Sequence, residues 1–155
     1  MSGPLLSALD RLLDDAPDER FEVPDDEDAA LRRLKQGLRR DLEGLLNGRR
    51  PFSPWLGRMP GLADSVIGFG LPDLSTEDFG TPAVRERIRR MIATCIRTYE
   101  TRLSRVEVEL DAGGPTSTGI RFRITAAMLV DQVEEPVIYD ARLRPTDRAI
   151  VNLAR

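Results

Sequence analysis

The sequence predicts an α+β fold, with helices packed on one face of a small, mainly antiparallel sheet of three to four strands and an N-terminal amphipathic arm in front. Three observations predict it. Apolar residues recur at three- and four-residue steps through the first part of the chain, the spacing of a helix face. After Arg102 they alternate one by one, the spacing of a strand. A leucine-rich N-terminus is separated from both by a stretch rich in Asp, Glu and Pro.

The arm comes first. Leu5, Leu6, Leu9, Leu12 and Leu13 form a stripe on a short helix, with Ser7, Asp10 and Arg11 off it. Asp14 to Asp28 holds Phe21 and Val23 as its larger apolar residues and reads as a linker. Residues 1–28 are therefore assigned to arm and linker, and residues 29–155 to a single domain, a length that suits one core. The leucine stripe either folds back on the domain or docks on a partner. A linker of this length favours a partner, because a short helix is unstable unless packed.

Leu31, Leu34, Leu38, Leu42 and Leu45 predict a helix that stops at Asn47-Gly48. Its other face carries Arg32, Arg33, Lys35, Arg39 and Arg40, read as a solvated face. Pro51, Pro54, Gly57, Pro60 and Gly61 then break structure, which leaves Phe52 and Trp55 in a loop. Asp64 or Ser65 caps a short helix through Val66 and Ile67 to Phe69, ended by Gly70 and Pro72. Thr81 as N-cap and Pro82 at the first position open the strongest helix, with Val84, Ile88, Met91, Ile92, Cys95, Ile96 and Tyr99 on one face.

Val106, Val108 and Leu110 alternate with Glu107 and Glu109 in a first strand. Beyond the loop from Asp111 to Gly119, Ile120, Phe122, Ile124, Ala126 and Met128 alternate in a second strand that pairs back as a hairpin. An acidic turn at Glu134-Glu135-Pro136 precedes a third strand through Val137, Tyr139, Ala141 and Leu143. Ile150, Val151 and Leu153 make either a last strand or a frayed end.

Composition excludes several kinds of chemistry. Among 155 residues there is no histidine and one cysteine, Cys95, so Cys-His catalysis, the usual histidine triads and zinc sites lack their side chains. Cys95 lies within a helical apolar stripe and reads as a small core residue. Gly68-x-Gly70 ends a helix instead of joining a strand to one, so it is no dinucleotide fingerprint. A net charge of −3 gives no electrostatic footprint for nucleic acid. No apolar run approaches the roughly 18 to 20 residues that span a bilayer, and the N-terminus has no unbroken signal-peptide core, so a cytoplasmic chain without direct membrane insertion is expected. Glu100, Asp73, Glu77, Asp78 and Asp140 could supply a carboxylate pair for glycoside hydrolysis, but any chain with 26 acidic residues offers such pairs. No catalytic residue, cofactor or metal site is assigned.

Several stretches resemble one family. They are Leu5-Leu6-Ser7-Ala8-Leu9-Asp10-Arg11-Leu12, then Leu38-Arg39-Arg40-Asp41-Leu42-Glu43-Gly44-Leu45-Leu46-Asn47, and Ser65 to Leu74 with its Gly70-Leu71-Pro72-Asp73-Leu74 element. The last runs from Ile88-Arg89-Arg90 to Tyr99-Glu100-Thr101-Arg102-Leu103. Together they resemble the TssE family, the type VI secretion counterpart of phage baseplate wedge proteins once labelled lysozyme-like. The Gly-Leu-Pro-Asp-Leu element is the most specific. Thr101 stands where the family's Glu-Pro-Arg motif has proline, so the rigid turn of a proline is lost.

The resemblance implies a non-enzymatic, cytoplasmic baseplate wedge domain over residues 29–155. Its implied partners are the TssF and TssG wedge proteins, the TssB-TssC sheath, and TssK through the wedge. It carries a sheath-interaction role onto Glu100 and Arg102, and a wedge-partner role suits Leu5, Leu6, Leu9 and Leu12 of the arm. Glu100 and Arg102 either bond across an interface or pair with each other to fix the helix-to-strand junction. A peptidoglycan-cleaving hydrolase and a wedge subunit of a phage or other contractile injection system are the alternatives.

Overall fold

Asp26 starts the first long helix: its carboxylate accepts a 2.6 Å hydrogen bond from the Ala29 N–H, which would otherwise have no helical partner. The structure, a computed structural model, describes residues 8–12, 18, 26–51, 58–59, 61–62, 64–111, 119–130, 133–144 and 149–154. The expectations for Leu5, Leu6, Phe52, Trp55 and most of the linker fall outside these residues.

Helix α1 is Ala8–Leu12, α2 is Glu27–Asn47 and α3 is Pro82–Tyr99. Leu34, Leu38, Leu42, Leu45 and Leu46 bury the apolar face of α2, and Ile88, Ile92, Ala93, Cys95 and Ile96 that of α3. Helix α2 stops where expected, at Gly48, whose N–H donates to the Gly44 and Leu45 carbonyls. Thr81 occupies the N-cap of α3, but its hydroxyl donates to Asp78 (2.8 Å) and not to the helix, whose first residue, Pro82, has no N–H to satisfy.

Strands β1 (Leu103–Leu110), β2 (Ile120–Val130), β3 (Val133–Leu143) and β4 (Ile150–Leu153) form an antiparallel sheet in the order β1-β2-β3-β4. The strand residues expected to face inward do so: Val106, Val108, Phe122, Ile124, Met128, Val137, Tyr139 and Ala141 are buried with the helix leucines and isoleucines in one cluster. Helices cover this face only, so the fold is α+β with two helices against a four-stranded antiparallel sheet. The C-terminal residues form a strand, not a frayed end.

Two expectations are corrected. Glu134-Glu135-Pro136 is not a turn; these residues lie inside β3, paired with Leu129, Met128 and Ala127. Proline is tolerated there because the even-numbered backbone groups of β3 face β4, as the 2.9 Å bond from Ala154 N to Ile138 O shows, and Pro136 lies past the end of β4. The basic side of α2 is not simply solvated either. Lys35 pairs with Glu135 at 2.6 Å, Arg39 donates to the Val151 carbonyl at 3.1 Å, and Arg40 pairs with Asp10 at 2.7 Å.

Both outer strands have side chains from the helices bonded to their outward-facing backbone. On β1, Arg97 donates to the Val106 carbonyl and Arg89 to that of Val108 at 3.5 Å. On the β4 side, besides Arg39, the Asn47 amide exchanges two bonds with the Ala149 backbone, at 3.0 and 2.6 Å.

Candidate functional site: the helix-to-strand junction

Helix α3 ends because the chain must turn into β1. The Glu100 N–H closes the helix on the Ile96 carbonyl (2.8 Å), and the Leu103 N–H returns to the Glu100 carbonyl (3.2 Å), which makes a turn over Thr101 and Arg102. This turn leaves Thr101 exposed and Glu100 only 7% exposed, the one charged residue fully buried among the described residues. A buried carboxylate needs a cation with matching geometry. Arg102 supplies it through Nε at 2.7 Å and a terminal nitrogen at 2.6 Å, and its backbone N–H adds a third bond at 3.2 Å.

The bridge continues beyond the pair. The same terminal nitrogen of Arg102 reaches Asp41 on α2 at 2.7 Å; Asp41 also accepts from Arg40 at 3.2 Å, and Arg40 reaches Asp10 on α1 at 2.7 Å. The Glu100 bond, then Asp41, push the Arg102 guanidinium further up from its already high value, against the opposing effect of burial. Its remaining terminal nitrogen is buried with no hydrogen-bond partner among the described residues. Tyr139, fully buried below, donates to the Lys35 carbonyl at 3.0 Å, and burial raises its phenol.

A notch in α2 lets the arm approach. A Cβ on Gly37 would lie 2.5 Å from an Asp10 carboxylate oxygen, so any larger residue there would push the Asp10 side chain aside. Helix α1 thus rests on α2 through its polar side, while Leu9 is 52% and Leu12 81% exposed. Of the four arm leucines singled out from the sequence, Leu9 and Leu12 are described and face away from the domain.

Sequence reasoning reached Glu100 and Arg102 but missed Asp41, Arg40 and Gly37. The signal available was Gly37 itself, a glycine inside an otherwise strong helix pattern, which often marks close approach of another segment.

The Gly-Leu-Pro-Asp-Leu element fastens the two long helices together. Gly70 has φ +97°, and the Leu71 N–H donates to the Gly48 carbonyl at 2.9 Å while the Leu71 carbonyl accepts from Arg50 N at 2.9 Å. Leu71 and Leu74 are buried, and the Asp73 carboxylate accepts from Ser75 N and from Arg49, bonds that hold it below the usual carboxylate range. Gly70 also presents its carbonyl to the Cys95 thiol at 3.5 Å.

The carboxylates once open to a hydrolytic role are each engaged separately. Asp73 meets Arg49, Glu77 meets Arg87, Asp78 caps Gly80 and Thr81, and Asp140 meets Arg123, so none of these bonds joins two of them. Among the described residues no group of three or more His, Cys, Asp or Glu is placed to hold a metal ion. Burial pushes the Cys95 thiol up to about 11. Alkylation by iodoacetamide at pH 8 is therefore expected to be slow in the folded chain and fast in denaturant, read by mass spectrometry; comparable rates would show an open thiol.

A family description, baseplate wedge protein gp25, matches residues 32–133, from α2 through both the Gly-Leu-Pro-Asp-Leu element and the junction to the start of β3. No curated protein and no solved structure gives a significant match to the chain. Among the described residues no helix is long and apolar enough to cross a membrane. With two thirds of its length covered, the chain belongs to the baseplate wedge protein gp25 family, the structural family of phage and contractile-injection baseplates that includes the TssE subunits.

Proposed function

We propose that this chain is the TssE-type wedge subunit of a type VI secretion baseplate, a cytoplasmic, non-enzymatic scaffold. It joins TssF and TssG, meets TssK through the wedge, and helps the TssB-TssC sheath begin to polymerise. The observation that carries the reading is the family match across α2, α3 and the junction, with the Leu-rich Asp-Arg-Leu arm lying in front of the matched region. The Leu-rich arm favours this reading over a phage wedge subunit, which shares the same core.

Two surfaces are assigned roles. Leu5, Leu6, Leu9 and Leu12 are the arm's anchors for a neighbouring wedge protein; the outward exposure of Leu9 and Leu12 supports this, because a stripe serving its own core would be buried. Glu100 and Arg102 serve the sheath contact as a unit: the buried Glu100 positions the partly exposed Arg102 side chain, and the turn presents Thr101 beside it. The Glu100–Arg102 bridge does the stiffening that a proline at Thr101 would otherwise supply.

Co-expression with TssF and TssG followed by size-exclusion chromatography tests the reading, with co-elution of all three expected. Deleting residues 2–14 should weaken that binding while the domain keeps its melting temperature within about 4 °C, since the arm's partly exposed Arg40–Asp10 bridge is worth only about 1 kcal/mol. Clean separation of the wild-type chain from both proteins would reopen the phage-wedge and hydrolase readings.

A further inference from the structure

The turn just before the Gly-Leu-Pro-Asp-Leu element shows large apolar side chains to solvent. Val66 is 90% exposed, with Ile67 and Phe69 beside it also exposed. Single exposed apolar residues are ordinary, but three within four positions on a stiff turn are not. The stiffness is visible bond by bond. Ser65 caps the 3-10 turn Val66–Gly68 through Ile67 N (3.3 Å), and its hydroxyl donates to the Leu62 carbonyl (2.7 Å). Tyr99 on α3 donates to the Ser65 carbonyl at 3.2 Å and packs edge-on against Phe69, with ring centroids 5.4 Å apart. Nothing in this geometry lets Val66 turn inward, so its side chain is held out in advance of any contact, which lowers the entropic cost of binding.

Beside the turn runs a groove of about 310 Å³ between α3 and the Gly-Leu-Pro-Asp-Leu element, floored by Met91 and Tyr99. Its charged lining is Arg50, Arg87 and Arg90 against Asp64. Arg87 and Arg90 have carboxylate partners, Glu77 and Glu86, that stand outside the groove, whereas the Arg50 guanidinium has no ion pair among the described residues. Arg50 is thus the lining cation left to meet an incoming carboxylate.

We propose that this groove and its apolar rim form a docking site for an acidic amphipathic segment of a wedge partner, with aliphatic side chains over Val66 and Phe69 and a carboxylate on Arg50. The site deepens the wedge reading and rests on it, but it is separate from both the arm and the junction. The rim supplies the apolar anchor and the arginines supply orientation and partner choice, the division found at well-packed interfaces.

The test is the affinity of the purified full-length chain for a co-purified TssF–TssG complex, measured by biolayer interferometry. Val66→Asp and Arg50→Glu should each weaken binding at least about tenfold. Their melting temperatures should stay at the wild-type value, because both side chains lie outside the core. Val133→Asp, at an exposed apolar position on the sheet, should leave affinity within about twofold. Full binding by both groove variants would overturn the site while leaving the wedge reading intact. Failure of the wild-type chain to bind would overturn the wedge reading and this occupant together. Self-association of the wild type that Val66→Asp abolishes would assign the groove to a second copy and overturn the acidic-partner proposal.

Discussion

Arg102→Ala is expected to lower the unfolding free energy by about 3 kcal/mol, because removing one partner strands a buried charge, which is far costlier than losing a surface pair. Glu100 would keep its Arg102 backbone bond at 3.2 Å but lose both guanidinium bonds in a site where it is 7% exposed. Asp41, on α2, would lose its own bond to the same group. For a chain of this length the melting temperature should fall by roughly 6 to 12 °C. Urea unfolding of Arg102→Ala, Glu100→Ala and the double variant forms the decisive set. The double variant should be more stable than the sum of the single losses predicts, since it removes the stranded carboxylate along with its partner. A melting temperature unchanged in Arg102→Ala would show that the pair does not hold the junction, and would leave partner contact as its whole role.

Gly70→Ala is expected to be at least as damaging, by about 3 kcal/mol or more, through the backbone and not through charge. At φ +97° an alanine is strained, and its Cβ would stand 2.2 Å from the Gly48 carbonyl oxygen, an atom with no side-chain freedom to move away. The bonds between Leu71 and the end of α2 would open, and the buried Leu71 and Leu74 would lose their seat. Thermal unfolding checks this against Gly44→Ala, which has nothing within 4 Å of the added methyl and sits in the exposed body of α2. That substitution should raise stability by up to about 1 kcal/mol. Equal behaviour of the two would mean that the contact between Gly48 and Gly70 does not restrain the fold.

Legibility followed the range of the interactions. Strands β1 and β2 and helices α2 and α3 were readable because a period of two or of 3.6 is written into consecutive residues, and Gly48 and Pro82 mark the end of α2 and the start of α3 locally. Pro136 misled for a local reason: proline signals a turn, and only the position of β4 shows why it fits inside β3. Lys35, Arg39 and Arg40 looked solvated because their partners Glu135, Val151 and Asp10 are distant in sequence. The candidate junction divides in the same way. Resemblance pointed to Glu100 and Arg102, two residues apart, whereas Asp41 lies 61 positions away from Arg102 and no periodicity links them.

The side chains bonded along the two outer strands bear on how the molecule behaves in a crowded assembly. A foreign strand that lined up with β1 would have to dislodge Arg97 and Arg89 before the Val106 and Val108 carbonyls could accept from it, and on the β4 side Arg39 and Asn47 stand in the same position. Hydrogen bonds from charged groups are worth roughly 1.5 to 3 kcal/mol, so chance strand addition meets an energetic threshold at either margin. A sheet with bare margins invites runaway stacking and amyloid-like growth at high local concentration. Along β1 and β4 that hazard is reduced by arginines anchored in the helices, and a segment joining at those positions would have to offer the arginines replacement acceptors.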